Sequence, residues 1–280
     1  MKRNFIFILF ILMSFQLLST PNALNPDNTG SVETEGQTFS IDMVYVEGGT
    51  LTMGDTSNGG GVYKKHTRQV TVPSFYLGKF EVTQKQWVEV MGSNISHWKG
   101  NDLPVEGISS YECLVFCNKL SLKEGLTPCY TGERSMTDCN WSANGYRMPT
   151  EAEWQFAAIG GKLSHDYKYS GSDTLDNVAW YKNNSGSKTH PVGLKQPNEL
   201  GIYDMTGNVK EWCWDWSGGG EYYSDNPVFN PKGPEASTER VIRGGSWSST
   251  IKNCQVEYRD SDVPDHRYSR NYGFRVCRNK

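Results

Sequence analysis

The most reactive side chains in this sequence are seven cysteines, Cys113, Cys117, Cys129, Cys139, Cys213, Cys254 and Cys277. Their odd number leaves at least one without an intrachain partner. Cys129 and Cys139 flank a polar excursion through Thr131-Gly132-Glu133, a spacing that suits a hairpin-closing disulfide in an oxidising compartment. Cys113 and Cys117 lie one helical turn apart and fit small core positions equally well. The five histidines, His66, His97, His165, His190 and His266, are widely scattered, which argues against a clustered-histidine metal centre. A serine nucleophile is equally hard to place. Gly171-Ser172 and Gly245-Ser246 lack the Gly-x-Ser-x-Gly turn, and neither a P-loop nor a dinucleotide fingerprint is present. What remains is the tail. From Arg243-Gly244-Gly245-Ser246-Trp247 to Gly273-Phe274-Arg275-Val276, a frame of Gly, Arg and aromatics encloses an irregular filling of Tyr, Ser, Asp, His and Arg. That mixture suits recognition, because rigid rings supply area and short polar groups supply adaptable hydrogen bonds.

Three helix starts with a physical mechanism precede this tail. Thr83 with Gln86, Ser109 with Glu112 and Thr150 with Glu153 each form a capping box, the first reinforced by a Val82/Trp87 staple. The first helix should stop at Gly92 and the second run to about residue 122, with Leu114, Cys117 and Leu120 facing inward. The third should span 151 to about 159, before Gly160-Gly161. Alternation places strands in 39–46, 51–54, 69–72 and 75–77, and later in 202–204, 209–214, 240–242 and 273–277. Beyond Lys162 helical periodicity gives way to loops punctuated by aromatics.

Residues 1–23 have the basic start, apolar run and small residues of a signal peptide, and no cysteine follows the run to carry a lipid. Residues 24–38 read as a flexible linker, leaving 39–280 as one domain. Hydrophobic content of 36% with 21% charged residues is that of a globular protein. A net charge of −3 supplies no basic field for nucleic acid.

Seven motifs, in order, resemble the formylglycine-generating-enzyme (sulfatase-modifying-factor) family: Phe80-Glu81-Val82-Thr83 with Trp87 and Met91-Gly92, Pro104-Val105, Tyr146-Arg147-Met148-Pro149-Thr150-Glu151-Ala152-Glu153-Trp154, Asn198-Glu199-Leu200-Gly201-Ile202-Tyr203-Asp204-Met205, Gly207-Asn208-Val209-Lys210-Glu211-Trp212, Arg243-Gly244-Gly245-Ser246-Trp247 and Gly273-Phe274-Arg275. The resemblance covers nearly all of 39–280 and implies an α+β, elaborated C-type-lectin-like fold, loop-rich with short helices and strands. Arg147, Arg243 and Arg275 then read as scaffold that satisfies loop carbonyls, and Trp154, Trp212, Trp214 and Trp216 as core rings. Glu151 and Glu153 belong to a helix start, where carboxylates meet exposed amides.

Members of this family oxidise a substrate cysteine with copper held by two cysteines. The resemblance puts Ser249 at the first of these positions and Cys254 at the second, with Ser246 at the active-site serine. A hydroxyl is a hard, weak ligand for copper(I), so half of the metal site is missing. Asn208, the carbonyl of Val209 and Glu211 match the family's calcium turn, which uses hard oxygen ligands. A second calcium site aligns with Asn177 and Val178, but its expected aspartate falls near the neutral Asn184. Another branch, the variable proteins of diversity-generating retroelements, keeps a fixed frame and varies the residues facing solvent. Here these would be Ser248, Ser249, Thr250, Ile251, Asp260, Ser261, Asp262, Val263, Asp265, His266, Tyr268, Ser269, Arg270 and Tyr272. The expectation is therefore an exported protein, periplasmic, cell-surface or secreted, that binds a protein or surface ligand without catalysis. The alternatives are a copper oxidase acting on a sulfatase polypeptide and a structural envelope protein.

Overall fold

Each capping box opens a helix: α1 (Gln84–Met91), α2 (Ser110–Lys123) and α3 (Glu151–Ala158). At each start the N-cap hydroxyl accepts the backbone N–H of the third helical residue, whose side chain in turn accepts the N-cap N–H. α1 ends where Gly92 takes φ 85°, the left-handed conformation that glycine enters without a Cβ clash. These elements come from a computed structural model that describes residues 39–54, 67–218 and 227–280 apart from Tyr268; the expected signal peptide and linker lie outside the described residues.

Two four-stranded sheets carry the frame. The first orders β1 (Met43–Val46), β4 (Phe75–Gly78), β13 (Cys277–Asn279) and β7 (Tyr146–Arg147). Its register aligns Leu77, Cys277 and Arg147 across three strands, so the chain's last strand sits between two early ones. The second orders β11 (Asp260–Asp262), β10 (Arg240–Arg243), β8 (Lys210–Trp216) and β12 (Tyr272–Gly273). A smaller sheet joins β2 (Gly49–Gly54), β3 (Thr67–Val72) and β9 (Val228–Phe229), and β5 (Tyr130–Thr131) pairs with β6 (Asp138–Cys139). A single turn, α4 (Leu175–Val178), completes the helices among the described residues. Residues Phe39–Lys280 make one compact unit.

Three expectations need correction. Residues 202–204 form no strand: Asp204 takes φ 58° and its carboxylate accepts the Gly193 N–H at 2.7 Å, so this segment turns. The strand expected over 273–277 divides between the two large sheets. Phe274 and Val276 cross the gap buried, and their carbonyls accept the N–H groups of Val82 and Gly78. The Cys129–Cys139 disulfide is not formed: the register pairs Cys139 with Tyr130, and Cys129 Sγ instead lies 3.4 Å from the Gly145 carbonyl. All seven cysteines are buried free thiols.

Aromatic rings fill the core where long helices are absent. Trp87 stacks on Phe116 at 5.4 Å, and Phe274 meets Phe116 edge-on at 5.3 Å. Trp154, Trp212, Trp214 and Trp216 are all buried. The three motif arginines are buried as well and act as cross-braces. Arg147 grips both oxygens of Glu153 at 2.7 Å and reaches Met148 O. Arg243 donates to the carbonyls of Val256, Glu257 and Tyr258 and to Gln155. Arg275 holds both oxygens of Glu211 at 2.7 and 2.6 Å and the carbonyls of Gly78 and Tyr203 at 2.9 Å. Replacing Glu211 by Ala should leave the buried guanidinium without the carboxylate that bonds it and cost about 3–5 kcal/mol in urea denaturation. A loss below about 1 kcal/mol would contradict the bracing role.

Candidate functional site

The turn after Gly244-Gly245 shows what replaces the copper pair. Ser249 Oγ accepts the Ser246 N–H at 2.9 Å and lies 3.3 Å from Ser246 Oγ, so the serine caps its own turn. Gly245 has φ 75°, and a Cβ there would sit 3.0 Å from Cys254 Sγ. Cys254 is fully buried against Tyr169, Leu175, Val178, Ala179 and Tyr181. Burial pushes its thiol up to about 12, which keeps it protonated at neutral pH. One thiol and a hydroxyl committed to the backbone do not supply the pair of soft thiolates that copper(I) takes. Among the described residues, no group of three or more His, Cys, Asp or Glu side chains is arranged to hold a metal ion.

The first calcium turn has its expected side-chain ligands already bonded within the protein, Glu211 to Arg275 and Trp154. Asn208 Oδ1 accepts the His190 N–H at 3.0 Å and its Nδ2 donates to Glu81 at 2.6 Å, so the amide is committed within the protein. Two carboxylates that the sequence reading passed over converge here beside Glu211. Glu81, which also accepts the Val209 N–H, has its pKa raised well above the ordinary range by burial and by the charges of Asp204 and Glu211. Burial raises Asp204 to about 6, and its Oδ1 is buried without a hydrogen-bond partner. Three carboxylates thus share one guanidinium, that of Arg275. Asp204 Oδ1 is the one oxygen of the three carboxylates without a partner: Glu81 is held by Asn208 and Val209, and Glu211 by Arg275 and Trp154 Nε1. The second calcium site does not fit. Asn177 lies on α4 with an exposed side chain, and Asn184 points its amide N–H groups at Asp176 Oδ1 and Ala179 O, both at 3.0 Å.

The two halves of the tail meet at Asn271. Its side-chain oxygen accepts from Ser248 Oγ at 2.9 Å and Ser246 Oγ at 3.3 Å, its carbonyl accepts the Lys210 N–H, and Trp247 Nε1 donates to the neighbouring Arg270 carbonyl. The tail's aspartates are paired in place: Asp260 with Lys210, Asp262 with His266 at 2.6 Å, and Asp265 with Arg134 at 3.0 Å. Ser261 Oγ donates to Glu239. Burial opposes ionisation of Asp262, but hydrogen bonds from Tyr272 Oη and His266 outweigh it and hold its pKa below the ordinary value. Burial, joined by the Asp262 carboxylate, pushes the Tyr272 phenol up.

Thr250, Ile251, Val263, Asp265, His266 and Arg270 are exposed as expected, and Ser248, Asp260, Ser261, Asp262 and Ser269 are partly exposed. Ser249 and Tyr272 are buried and belong to the frame, which corrects their assignment to the binding surface. Tyr268 lies outside the described residues. Two neighbours were missed. The 129–139 excursion reaches the tail through Arg134, and Trp98 packs edge-on against Trp247 at 5.0 Å. Neither contact has a signal in local spacing, because each joins residues more than a hundred positions apart.

A lectin-like scaffold with buried arginine braces and a C-terminal loop surface defines the class. The chain belongs to the sulfatase-modifying-factor family: residues 28–280 match its sulfatase-modifying factor enzyme 1-like domain. It is 39% identical over 275 residues to the chaperone protein LppX of Paenibacillus barcinonensis, covering 87% of this chain and 91% of that one. It is 37% identical over 149 residues to the formylglycine-generating enzyme of Streptomyces coelicolor, covering 48% of this chain and 46% of the enzyme. Treponema denticola variable protein 1 superposes with a TM-score of 0.78 at 36% identity, over 85% of this chain and 95% of that one. The fold is the α+β, C-type-lectin-like fold of these relatives.

A second buried carboxylate lies under the tail. Asp215 Oδ2 accepts the Glu151 N–H at 2.8 Å, and burial, reinforced by the Glu151 charge, raises its pKa to about 7. Its folded value lies above its unfolded one, so the folded state binds the extra proton. The stability it contributes is complete below about pH 4 and is lost as pH rises through about 7. Asp215→Asn should flatten thermal stability across that window, by on the order of 1–3 kcal/mol. Parallel pH profiles of Tm for the two proteins would refute the assignment.

Proposed function

We propose that this protein is an exported, noncatalytic display scaffold that binds a protein or surface ligand through the solvent-facing part of its C-terminal tail. The carrying observation is the division of labour within residues 246–272. Ser249, Asp262 and Tyr272 bond inward and fix the loops, while Thr250, Ile251, Val263, His266 and Arg270 lie exposed on them. A rigid base with adaptable side chains above it is the arrangement that lets one fold serve many ligands. The likeness to a protein described as variable supports this reading, and so does the poor fit of Ser249 and Cys254 to copper. Export rests on residues 1–23, and no helix among the described residues is long and apolar enough to cross a membrane.

A library diversified at Thr250, Ile251 and Val263 should consist mostly of folded proteins, each position shifting stability by less than about 0.5 kcal/mol. Individual changes of Ser249, Asp262 or Tyr272 to Ala should cost about 1–3 kcal/mol. The reverse pattern, or a library that yields no binder to any immobilised protein, would sink the display reading. The oxidase reading has its own test: copper(I) titration and a sulfatase-type cysteine peptide. Turnover abolished by Cys254→Ala would overturn the noncatalytic assignment.

Calcium is proposed as a structural ion at the Asn208–Glu211 turn, taken up through Asp204 Oδ1, the carboxylate oxygen there without a partner, where it would offset the surplus carboxylate charge around Arg275. Millimolar calcium should raise Tm at pH 7, and the rise should vanish in Asp204→Asn. An unchanged Tm in the unmodified protein would remove calcium from the account.

A further inference from the structure

Beside the tail stand two rings that the tail does not supply, His97 and Trp98, and they run on to the tail's own Trp247. His97 meets Trp98 at 5.0 Å and 85°, and Trp98 meets Trp247 at 5.0 Å and 81°, so each ring abuts the next nearly at a right angle. The ring faces therefore look in different directions and form a corner, not a flat platform. The backbone under these rings is held tightly. Glu106 Oε1 accepts the N–H groups of both His97 and Trp98, and the Trp98 carbonyl accepts from Gln84 at 2.8 Å. Trp247 is held at three points: its Nε1 by the Arg270 carbonyl at 2.8 Å, its N–H by the Asn208 carbonyl at 2.7 Å, and its carbonyl by Ser185 Oγ at 2.8 Å. Both indoles nevertheless stay partly exposed, and His97 is exposed.

The cations at this corner face acids that are mostly bonded already, and the Arg270 charge also acts on Glu106. The three tail aspartates are paired with Lys210, His266 and Arg134. Glu106 is buried, with one oxygen taken by two backbone N–H groups. Arg270 and Lys182 are exposed and make no ion pair among the described residues, and the Lys182 N–H bonds the Ser249 carbonyl in the adjacent turn. Rigid, partly exposed tryptophans beside unspent cations are what an interface anchor is made of.

We propose that Trp98 and Trp247, with Arg270 and Lys182 beside them, form a fixed anchor subsite that seats a bulky apolar or aromatic side chain flanked by carboxylates, from an acidic peptide segment of a protein partner. This deepens the display reading: the variable-looking loops set specificity, and an anchor partly outside the tail supplies a shared contact. Rings held before binding lose little entropy on association, so an anchor of this kind adds affinity whatever the loops carry. Arg270 and Lys182 favour carboxylates beside the seated side chain and disfavour a basic partner.

The test uses the full chain and three fluorescein-labelled pentapeptides in anisotropy titrations: Asp-Glu-Trp-Glu-Asp, the same peptide with Ala at its centre, and Lys-Arg-Trp-Arg-Lys. The acidic tryptophan peptide should bind at least about tenfold tighter than either control. Trp98→Ala should weaken it by about tenfold or more, and Trp98→Phe should retain most of the affinity. Arg270→Gln, at an exposed position where folding is not at issue, should weaken it about threefold and reduce its salt dependence. Equal binding of the three peptides, preference for the basic one, or an unchanged affinity in Arg270→Gln would overturn the proposal. A double exchange of Ile251 and Val263 should leave peptide binding intact. Failure of the anchor is thereby separated from failure of the tail to act as a display surface.

Discussion

The structure turns on the buried pairing of Arg275 with Glu211. Arg275 follows β12 at the end of the tail, Glu211 lies on β8, and the same guanidinium takes carbonyls from the end of β4 and from the 202–204 turn. Glu211 also accepts the Trp154 Nε1–H at 2.7 Å, which brings α3 to the same point. One ion pair thus joins both large sheets and a helix. Burying two charges gains little over an apolar pair by itself. Its effect is geometric: five donors in a rigid plane fix several irregular segments at once, which no aliphatic side chain can do.

The same device recurs wherever regular structure is thin. Arg147 closes the start of α3 against β13, and Arg243 gathers the carbonyls of 256–258 beneath the tail. In a loop-rich fold the backbone polar groups cannot all be paired within helices and sheets, and unpaired ones are costly when buried. Buried guanidiniums serve as the missing partners. Where they bond to carbonyls, as Arg243 does at 256–258, the loop they hold remains free to differ in sequence on its outer side.

What the sequence disclosed follows the range of the interactions involved. The capping boxes at Thr83, Ser109 and Thr150 were legible because each is closed within four residues, and the α1 stop was legible from one glycine. The family motifs carried the fold itself. The strand expected at 202–204 failed because apolar alternation does not reveal that Asp204 bonds to Gly193 eleven residues earlier. Ser249 looked like an outward serine because nothing local shows that its hydroxyl caps the Ser246 N–H. Tyr272 looked like a paratope ring for the same reason, yet its edge-on contact with Trp212 and its bond to Asp262 make it part of the frame. In each case the deciding partner lay across a turn or on another strand.

The placement of charge in the tail explains why a surface so rich in aspartate can still serve recognition. Three aspartates within six residues would repel one another and favour a cationic ligand if all were unpaired. The scaffold prevents this by supplying Lys210 from β8 and Arg134 from the 129–139 excursion, and the tail itself supplies His266. Asp262 goes further, tying His266 and Tyr272 into one unit, so its charge is used to set loop shape. Asp260 and Asp262 then act as struts, and the net character of the surface passes to the groups left over: the exposed apolar Ile251 and Val263, and the guanidinium of Arg270. A substitution among those changes what is presented to a partner without disturbing what holds the loop. That separation of struts from contacts keeps the tail ordered while its outer face stays free to vary.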